Sequence, residues 1–322
     1  MFHPEFEATI IISTRNRART LADTLHSLQT EGSRTPREVI VVNNGSTDST
    51  DDVIRDASRS GQVSVRGLAH TAPGKSRALN AAISESDSPF LLFTDDDALV
   101  EAGWADALVA PFADDAVAVV GGRTVAAWPD TPPPPWLGPR VAEDLGLRDL
   151  GSEPRPLEPY DIIGVNMALR RSAVENLEGP FETSLGPRRG VKIDYEEFHL
   201  ASILAAEAQL VYAPGALVHH RVDAARLDWK WMRKMYFQRG IGRARHWRMV
   251  GKPVPSVKGG AWLLARSYTH SWRLGLAHPR SGPRDATEAL EEASSFILAG
   301  MHLESLFVKL PRLSERLSTI LV

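Results

Sequence analysis

The sequence predicts an α/β fold, in which a mostly parallel central sheet is flanked by helices and followed by a helical C-terminal extension. Short apolar runs alternate with amphipathic stretches over the first ~120 residues, as is typical of strand–helix–strand units with a parallel sheet. Polar residues follow three of these runs, at the edge where such sheets bind ligands. From about Leu227 the apolar spacing is helical, with breaks near Pro253–Pro255 and Pro279–Pro283.

Each predicted element rests on the spacing of its apolar residues. Continuous apolar runs bounded by turn residues predict buried strands, and apolar residues three or four positions apart predict helices. The strands are expected at Ala8–Ser13, Val39–Val42, Val63–Leu68, Pro89–Thr94, Val117–Val120, Ile162–Leu169, Leu210–Ala213 and Ala216–His219. The helices before the C-terminal extension are expected at Thr20–Leu28, Gly74–Ile83 and Tyr195–Ala206.

The composition excludes several kinds of protein. The 322 residues are 43% apolar and 24% charged, ordinary values for a globular chain of one large or two small domains. The absence of cysteine excludes a disulfide framework, a thiol nucleophile and a cysteine-ligated metal. Acids near the N-terminus argue against a secretory signal, and no apolar run approaches the ~18 residues of a membrane span. We therefore expect a cytoplasmic protein, with peripheral association at the inner membrane face left open.

Positive charge is concentrated in one segment. Arg221–Arg284 contains fifteen Lys and Arg residues and two acids, although the whole chain has a net charge of −3. Five of the eight tryptophans lie there: Trp229, Trp231, Trp247, Trp262 and Trp272. Such a region is typical of binding to nucleic acid, an anionic membrane or a phosphate-bearing substrate. A solvated helical face with buried aromatic residues is the equally open alternative.

Three consecutive aspartates, Asp95, Asp96 and Asp97, follow the apolar run PFLLFT. Their mutual repulsion is relieved by a hard divalent cation, and Mg²⁺ or Mn²⁺ prefers oxygen ligands. A solvated acidic turn is the alternative, but the strand-end position favours a site. Thr14–Arg17 and Asn43–Asp48 also follow predicted strands, so all three clusters are expected at one edge of the sheet.

Other polar groups offer complementary chemistry. Lys75 and Arg77 could place two cations beside a diphosphate. The acids of Asp194–Glu197 include candidate general bases for an acceptor hydroxyl, although acids also stabilise helix N-termini. His219 and His220 follow an apolar run, and an imidazole can complete a metal site with carboxylates.

Taken in order, these segments resemble the family 2 glycosyltransferases, which have the GT-A fold. The resemblance covers roughly residues 7 to 245 and depends on eight segments in the family's order. They are ATIIISTRNR, EVIVVNNGSTDST, APGKSRALNAAI, FLLFTDDD, GVNMALRRSA, GPFETSLG, EEFHL and VYAPGALVHH. The resemblance implies a DxD-containing, metal-dependent enzyme that uses a nucleotide sugar.

The resemblance also implies a role for each matching position. The nucleotide-sugar side comprises Thr14, Arg17, Asn43, Asn44, Lys75, Arg77, Asn80, Asp95 and Asp96. Asn43 stands where the family usually has an aspartate that contacts the base, which weakens or alters that contact. Asp95 is expected near the ribose, and Asp97 and His220 on the metal.

Glu197 aligns with the catalytic base of the family's EDxEL segment, and His199 replaces the second acid of that segment. Asp194 and Glu196 remain rivals for the role of base. Asn166 lies in the segment that resembles the family's acceptor-side pattern, and Trp229 and Trp231 are placed on the acceptor side with it.

The implied activity is inverting transfer of a sugar from a nucleoside-diphosphate sugar, with UDP favoured, to a hydroxyl acceptor. The acceptor is expected to be a glycan, a lipid-linked molecule or a small natural product. One alternative is a module that binds an anionic membrane or nucleic acid through Arg221–Arg284, although no nucleic-acid partner is expected. A nucleotidyltransferase ranks lower, because its Gly-rich loop is absent after Ile12. We expect a catalytic domain over residues 1–225, divided near residue 120 into donor and acceptor halves, and a helical region over 226–322.

Overall fold

The computed structural model describes residues 7–61, 63–129, 132–187, 193–254 and 282–309. The chain forms two compact units, each assembled from segments that are distant in sequence. The first unit consists of Met1–Ala127, Gly146–Ser184 and Glu196–Arg221. The second unit consists of Trp128–Leu145, Leu185–Tyr195 and Val222–Val322.

The first unit is built on a nine-stranded sheet. Its strands are β1 (Ala8–Thr14), β2 (Arg37–Asn43), β3 (Ser64–Ala69), β4 (Phe90–Thr94), β5 (Ala98–Val100), β6 (Val117–Ala127), β7 (Arg155–Pro156), β8 (Asn166–Arg170) and β9 (Gln209–Arg221). Their spatial order is β3-β2-β1-β4-β8-β6-β9-β5, and β7 also pairs with β9. The neighbours from β3 to β4 are parallel, as are β6 and β9, whereas β8, β5 and β7 are antiparallel to their partners. The predicted α/β class with a mostly parallel sheet is confirmed.

Helices cover both faces of this sheet, because the central strands are apolar on both sides. The α-helices of the first unit are α1 (Ala18–Thr30), α2 (Thr50–Arg59), α3 (Lys75–Ser84), α4 (Trp104–Val109) and α6 (Glu196–Leu204). Side chains alternate between the two faces of a strand. Ile10 and Ile12 therefore join one core with Leu21 and Leu25 of α1, whereas Ile11 joins the opposite core with the apolar side of α3.

The prediction made for the region of β9 is wrong in one respect. The sequence pattern predicts two short strands, Leu210–Ala213 and Ala216–His219, whereas the structure has one continuous strand. The pairing register of β9 on β6 shifts between Ala213 and Leu217. Pro214 lies within the shift, where the missing N–H of proline costs the ladder no hydrogen bond. The break in the apolar pattern is therefore an irregularity within one strand.

The side chain of Asn166 fills this irregularity. Its amide nitrogen donates to the carbonyl oxygens of Arg123 at 2.9 Å and Ala216 at 2.8 Å, and its amide oxygen accepts from the Trp104 indole at 2.9 Å. Asn166 is 1% exposed, so these bonds satisfy carbonyl groups that would otherwise be buried without partners. Any side chain at Gly122 would overlap the Asn166 amide.

The second unit is helical in its described part. It contains α5 (Pro139–Glu143), α7 (Trp229–Met249) and α8 (Ala286–Lys309). Helices α7 and α8 approach closely at Gly240 and Gly300, whose Cα atoms face each other. A Cβ at either position would overlap a carbonyl oxygen of the other helix, of Ile297 or of Phe237. Two glycines therefore permit the close packing of these helices. Among the described helices, none has both the length and the apolar character that crossing a bilayer requires.

Part of the basic segment Arg221–Arg284 is neutralised by acids of α8. Arg233 pairs with Glu292 at 2.7 Å, and Arg245 and Arg248 pair with Glu304 at 3.0 and 2.8 Å. Both glutamates are buried, and buried acids require such partners. These pairs favour a structural role for the basic face of α7. Residues 255–281, which include Trp262 and Trp272, lie outside the described residues.

Candidate active site

Thr14 and Arg17, at the end of β1, meet Asp96, which follows the neighbouring parallel strand β4. The Thr14 hydroxyl donates to Asp96 Oδ2 at 2.7 Å, and Arg17 Nη1 donates to Asp96 Oδ1 at 3.2 Å and to Asp97 Oδ2 at 2.5 Å. Burial raises the pKa of Asp96 to about 6 against the opposing effect of Arg17. Asp96 thus links the loops that follow β1 and β4, a role that sequence reasoning could not supply.

Lys75 connects the aspartate cluster to helix α6. Its Nζ atom lies 2.8 Å from Asp95 Oδ1 and 3.5 Å from Glu197 Oε1. Burial by itself would lower the pKa of Lys75, but the carboxylates of Asp95 and Glu197 raise it above its ordinary value. The lysine is therefore positively charged, and it joins the first member of the aspartate cluster to the predicted base.

Asp95, Asp97 and His220 form a candidate metal centre. One ligand atom from each of the three residues lies within 4.8 Å of the others. His220 is 4% exposed, its Nε2 lies 3.3 Å from Asp97 Oδ1, and neither ring nitrogen makes a hydrogen bond within the described residues. A buried imidazole without such bonds is costly unless another group, such as a metal ion, satisfies it. Carboxylate oxygens with one imidazole suit Mn²⁺ or Mg²⁺.

Two glycines make room for the proposed metal ligand and base. Gly146 has a φ of +80°, and a Cβ there would lie 3.2 Å from Cε1 of His220. A Cβ at Gly164 would overlap the carboxylate of Glu197. Sequence reasoning did not single out either glycine. For Gly164 there was a signal, because it is the first residue of the GVNMALRRSA segment.

The structure separates the three acids that compete for the role of base. Glu196 begins α6 and is fully buried, whereas the Glu197 side chain is 12% exposed and lies beside Lys75. Asp194 belongs to the second unit, where both of its carboxylate oxygens accept hydrogen bonds from Arg239. Accessibility and the Lys75 contact therefore favour Glu197, although its catalytic role stays a prediction.

Asn43 and Asn44 organise the loops at the sheet edge. The Asn43 amide donates to Asp51 at 2.6 Å, and its oxygen accepts from the backbone of Ser46 at 2.9 Å. Asn44 donates to the carbonyl oxygen of Ala72 at 3.0 Å and accepts from the Gly74 N–H at 3.3 Å. Both side chains are thus engaged within the protein, and base recognition by them stays a prediction.

The remaining predicted residues also have partners. Arg77 is exposed and donates to the Pro73 carbonyl oxygen at 2.9 Å, whereas the Asn80 amide bonds both backbone polar groups of Phe181 at 2.9 Å. Among the predicted acceptor-side residues, Asn166 is buried in the sheet. In the second unit, Trp229 is 4% exposed and packs edge-on against the Trp136 ring, with a centroid separation of 5.0 Å. Trp231 lies 6.0 Å from the Arg226 guanidinium. Their acceptor roles stay predictions.

Comparisons with known proteins identify the family. The family model described as "Glycosyl transferase family 2" matches residues 9–178, more than half of the chain. The pre-mycofactocin glycosyltransferase of Mycobacterium tuberculosis is 27% identical over 83% of this chain. The succinoglycan biosynthesis protein ExoM of Rhizobium meliloti is 26% identical over 64% of it. The matches cover 54% and 59% of these relatives, so the chain spans little more than half of their length.

Solved structures share the fold. A mannosyltransferase from Pyrobaculum calidifontis, in complex with GDP-Man and Mn²⁺, superposes with a TM-score of 0.61 at 21% identity, covering 94% of this chain and 88% of that one. Glucosyl-3-phosphoglycerate synthase from Mycobacterium tuberculosis, in complex with Mn²⁺, UDP-Glc and phosphoglyceric acid, superposes with a TM-score of 0.50 at 19% identity, covering 77% and 81%. With its GT-A fold and a family match over residues 9–178, more than half of the chain, the protein belongs to glycosyl transferase family 2.

Proposed function

We propose that this chain is a metal-dependent, inverting glycosyltransferase that moves a sugar from a nucleoside-diphosphate sugar to a hydroxyl acceptor. The observation that carries the proposal is the position of Lys75, between Asp95 of the candidate metal centre and Glu197. This arrangement puts a charge-stabilising site and a candidate base next to each other. On this proposal, residues 1–120 hold the donor, and residues 121–225 supply Glu197 and His220.

Asp95, Asp97 and His220 would hold the cation. When bound, a divalent cation supplies positive charge that stabilises the departing diphosphate. Lys75 and Arg17 add fixed positive charges at the same sheet edge, where low dielectric strengthens them. The Mn²⁺ in two structural neighbours supports Mn²⁺ or Mg²⁺ here.

Glu197 is proposed to accept the proton of the acceptor hydroxyl. As that proton leaves, the acceptor oxygen bonds to the anomeric carbon, and the bond from this carbon to the diphosphate oxygen breaks on the opposite face. The product glycoside therefore has inverted configuration, and the nucleoside diphosphate departs with the bonding electron pair. Lys75, 3.5 Å from Glu197, favours the ionised carboxylate that this step requires.

The donor and acceptor are proposed only by class. UDP-sugars remain favoured, but GDP-sugars belong in the same screen, because the neighbours hold UDP-Glc and GDP-Man. The acceptor is a hydroxyl of a glycan, a lipid-linked molecule or a small molecule. Names of the curated relatives, one for pre-mycofactocin and one for succinoglycan biosynthesis, are compatible with more than one of these classes.

A melting-temperature screen tests donor binding. UDP-glucose, UDP-N-acetylglucosamine and GDP-mannose are each added with Mn²⁺ or with EDTA, because a ligand that binds the native state raises its melting temperature. We expect one nucleotide class to stabilise the protein with Mn²⁺, and the Asp97→Asn variant to lose that stabilisation. Equal stabilisation in Mn²⁺ and EDTA would reject the metal centre.

Turnover tests the base. The selected donor is supplied with water as acceptor, and release of the nucleoside diphosphate is followed. Glu197→Gln should lower kcat by at least ~10²-fold, the scale of losing a general base. Glu207→Gln, an exposed change just beyond the same helix, is the matched control and should retain activity. Full activity of Glu197→Gln would remove this residue from the mechanism. Proton NMR of the released sugar, taken before mutarotation, reports inversion or retention.

A further inference from the structure

Arg239, on α7 of the second unit, holds two separate segments of the chain. Its Nε and Nη2 atoms donate to both carboxylate oxygens of Asp194, at 3.2 and 2.8 Å. Its Nη1 atom pairs with the carboxylate of Asp144, and Nη2 also donates to the Asp144 carbonyl oxygen at 3.1 Å. Asp144 belongs to the segment Trp128–Leu145 and Asp194 to Leu185–Tyr195. One guanidinium therefore fixes both inserted segments to the helix.

This cluster differs from an ordinary surface ion pair. The Arg239 side chain is only 19% exposed, and it uses the planar fork geometry that lysine lacks. Although burial alone would lower the pKa of Arg239, the Asp194 and Asp144 carboxylates raise it above its ordinary value. Tyr236, one turn earlier on α7, donates to the second carboxylate oxygen of Asp144 at 2.9 Å.

The segment that contains Asp194 has further contacts with α7. Gly242 leaves room for it, because a Cβ there would lie 2.7 Å from Ile193 and 3.0 Å from the Tyr195 ring. Arg243 donates to the Tyr195 hydroxyl at 2.9 Å. Residues 193–195 are therefore held at several points, and the Arg239–Asp194 contact among them is an ion pair between opposite charges.

Chain connectivity links these fixed segments to the proposed active site. Asp194 precedes Glu197 by three residues, and α6 begins two residues after it, at Glu196. Asp144 is followed two residues later by Gly146, where a Cβ would lie 3.2 Å from Cε1 of His220. The Arg239 contacts described above are with Asp144 and Asp194, and not with the candidate metal ligands or Glu197.

We propose that Arg239 is a positioning residue that sets where α6 begins, and thereby where the Glu197 carboxylate lies. The inference rests on the proposed function, in which Glu197 is the base. Loss of the two-carboxylate bridge frees the chain just before α6, and a displacement of about 1 Å at a reacting group lowers the rate by roughly 10²-fold. Donor binding relies on side chains that follow β1 and β4 and on His220 of β9, which Arg239 does not contact among the described residues, so it is unaffected.

The test compares Arg239→Lys with Arg245→Lys. Both changes keep the charge and remove a forked ion pair on α7, but Arg245 pairs with Glu304 of α8. The donor is UDP-glucose, UDP-N-acetylglucosamine or GDP-mannose, whichever the melting screen selects, with Mn²⁺ and with water as acceptor. We expect Arg239→Lys to lower kcat by 10- to 100-fold while the calorimetric Kd of the donor changes less than twofold. Arg245→Lys should leave both quantities within twofold of the wild type.

A second variant and a double variant separate the possible causes. Asp194→Asn removes one arm of the bridge and should lower kcat in the same direction without changing the donor Kd, even if Arg239→Lys fails to fold. In a Glu197→Gln background, Arg239→Lys should add no further loss, because both changes act on one step. An unchanged kcat in Asp194→Asn and in any folded Arg239→Lys protein, or an equal loss in Arg245→Lys, would overturn the inference. If the wild type does not bind or turn over any donor, the proposed function itself fails.

Discussion

Replacing Gly164 with alanine should displace the Glu197 carboxylate and slow turnover about 100-fold. The new Cβ would overlap Oε1 so deeply that the oxygen must move by more than about 1 Å to reach the 3.4 Å of ordinary contact. Cδ and Cγ of Glu197 would lie 2.8 and 3.0 Å from the new Cβ, so a small rotation of the carboxylate does not relieve the overlap. A misplacement of about 1 Å costs roughly 10² in rate, which corresponds to about 2.7 kcal/mol of transition-state stabilisation.

The assay is release of nucleoside diphosphate with Mn²⁺ and the donor that the melting screen selects. Gly215→Ala is the matched control, because a Cβ there would meet only Ala107, at an ordinary 3.5 Å. In a Glu197→Gln background, Gly164→Ala should cost nothing more, since the displaced group is already inactive. A kcat near the wild-type value in Gly164→Ala, with the protein folded, would refute the reasoning. An added loss in the double variant would show that Gly164 acts on some other group.

Three predictions concern stability. Asn166→Asp leaves the Arg123 and Ala216 carbonyl groups without donors, beside a buried acid. The free energy of unfolding measured with urea should therefore fall by about 2–4 kcal/mol. A loss below about 1 kcal/mol would contradict the role given to Asn166 in β9. Gly300→Ala should lower it by about 1–3 kcal/mol through overpacking, opposite in sign to the usual gain from Gly→Ala in a helix. Burial raises the pKa of Asp106, but the Thr35 hydroxyl and backbone N–H bonds outweigh burial and lower it. The stability that Asp106 contributes should therefore be present above its unfolded pKa of ~3.9 and be lost as the pH falls through its lower folded pKa. Free energies of unfolding of the wild type and Asp106→Asn should approach each other as the pH is lowered below ~3.9, and a wild-type advantage that does not decrease there would contradict this.

The sequence predicted the central strands because their apolar runs are continuous and end in polar residues. Five strands of the front sheet, from Ala8 to Val120, lie where those runs predict them. Strand β5 and helix α4 were missed, since three and six residues are too few to display a period. The single strand β9 was divided in two because Pro214 and Gly215 interrupt its pattern, whereas the amide that repairs this interruption comes from a residue about 50 positions away.

The sequence could predict which residues belong to the candidate site, but not which of them contact one another. Only the resemblance to family 2 glycosyltransferases predicted that Asp95, Asp97 and His220 share one site. In the structure, one ligand atom of each residue lies within 4.8 Å of the others. The sequence could not reveal that Asp96 is held by Thr14, because that bond spans 82 residues. Nor could it reveal Arg239, because an arginine on a basic helix has the same pattern whether it faces solvent or bridges two acids.

The discontinuous second unit has a consequence for synthesis and dissection of the chain. Segments Trp128–Leu145 and Leu185–Tyr195 leave the ribosome well before α7 (Trp229–Met249), the helix that carries Arg239. Domains generally fold as they emerge, but Arg239 is added 95 residues after Asp144 and 45 residues after Asp194, so both segments are made before their ionic partner. A protein truncated after Arg221 would retain both segments permanently without that partner. Its behaviour would therefore report the loss of the Arg239 partner of Asp144 and Asp194 as well as a missing C-terminal region. An internal change such as Arg239→Lys dissects the second unit more cleanly.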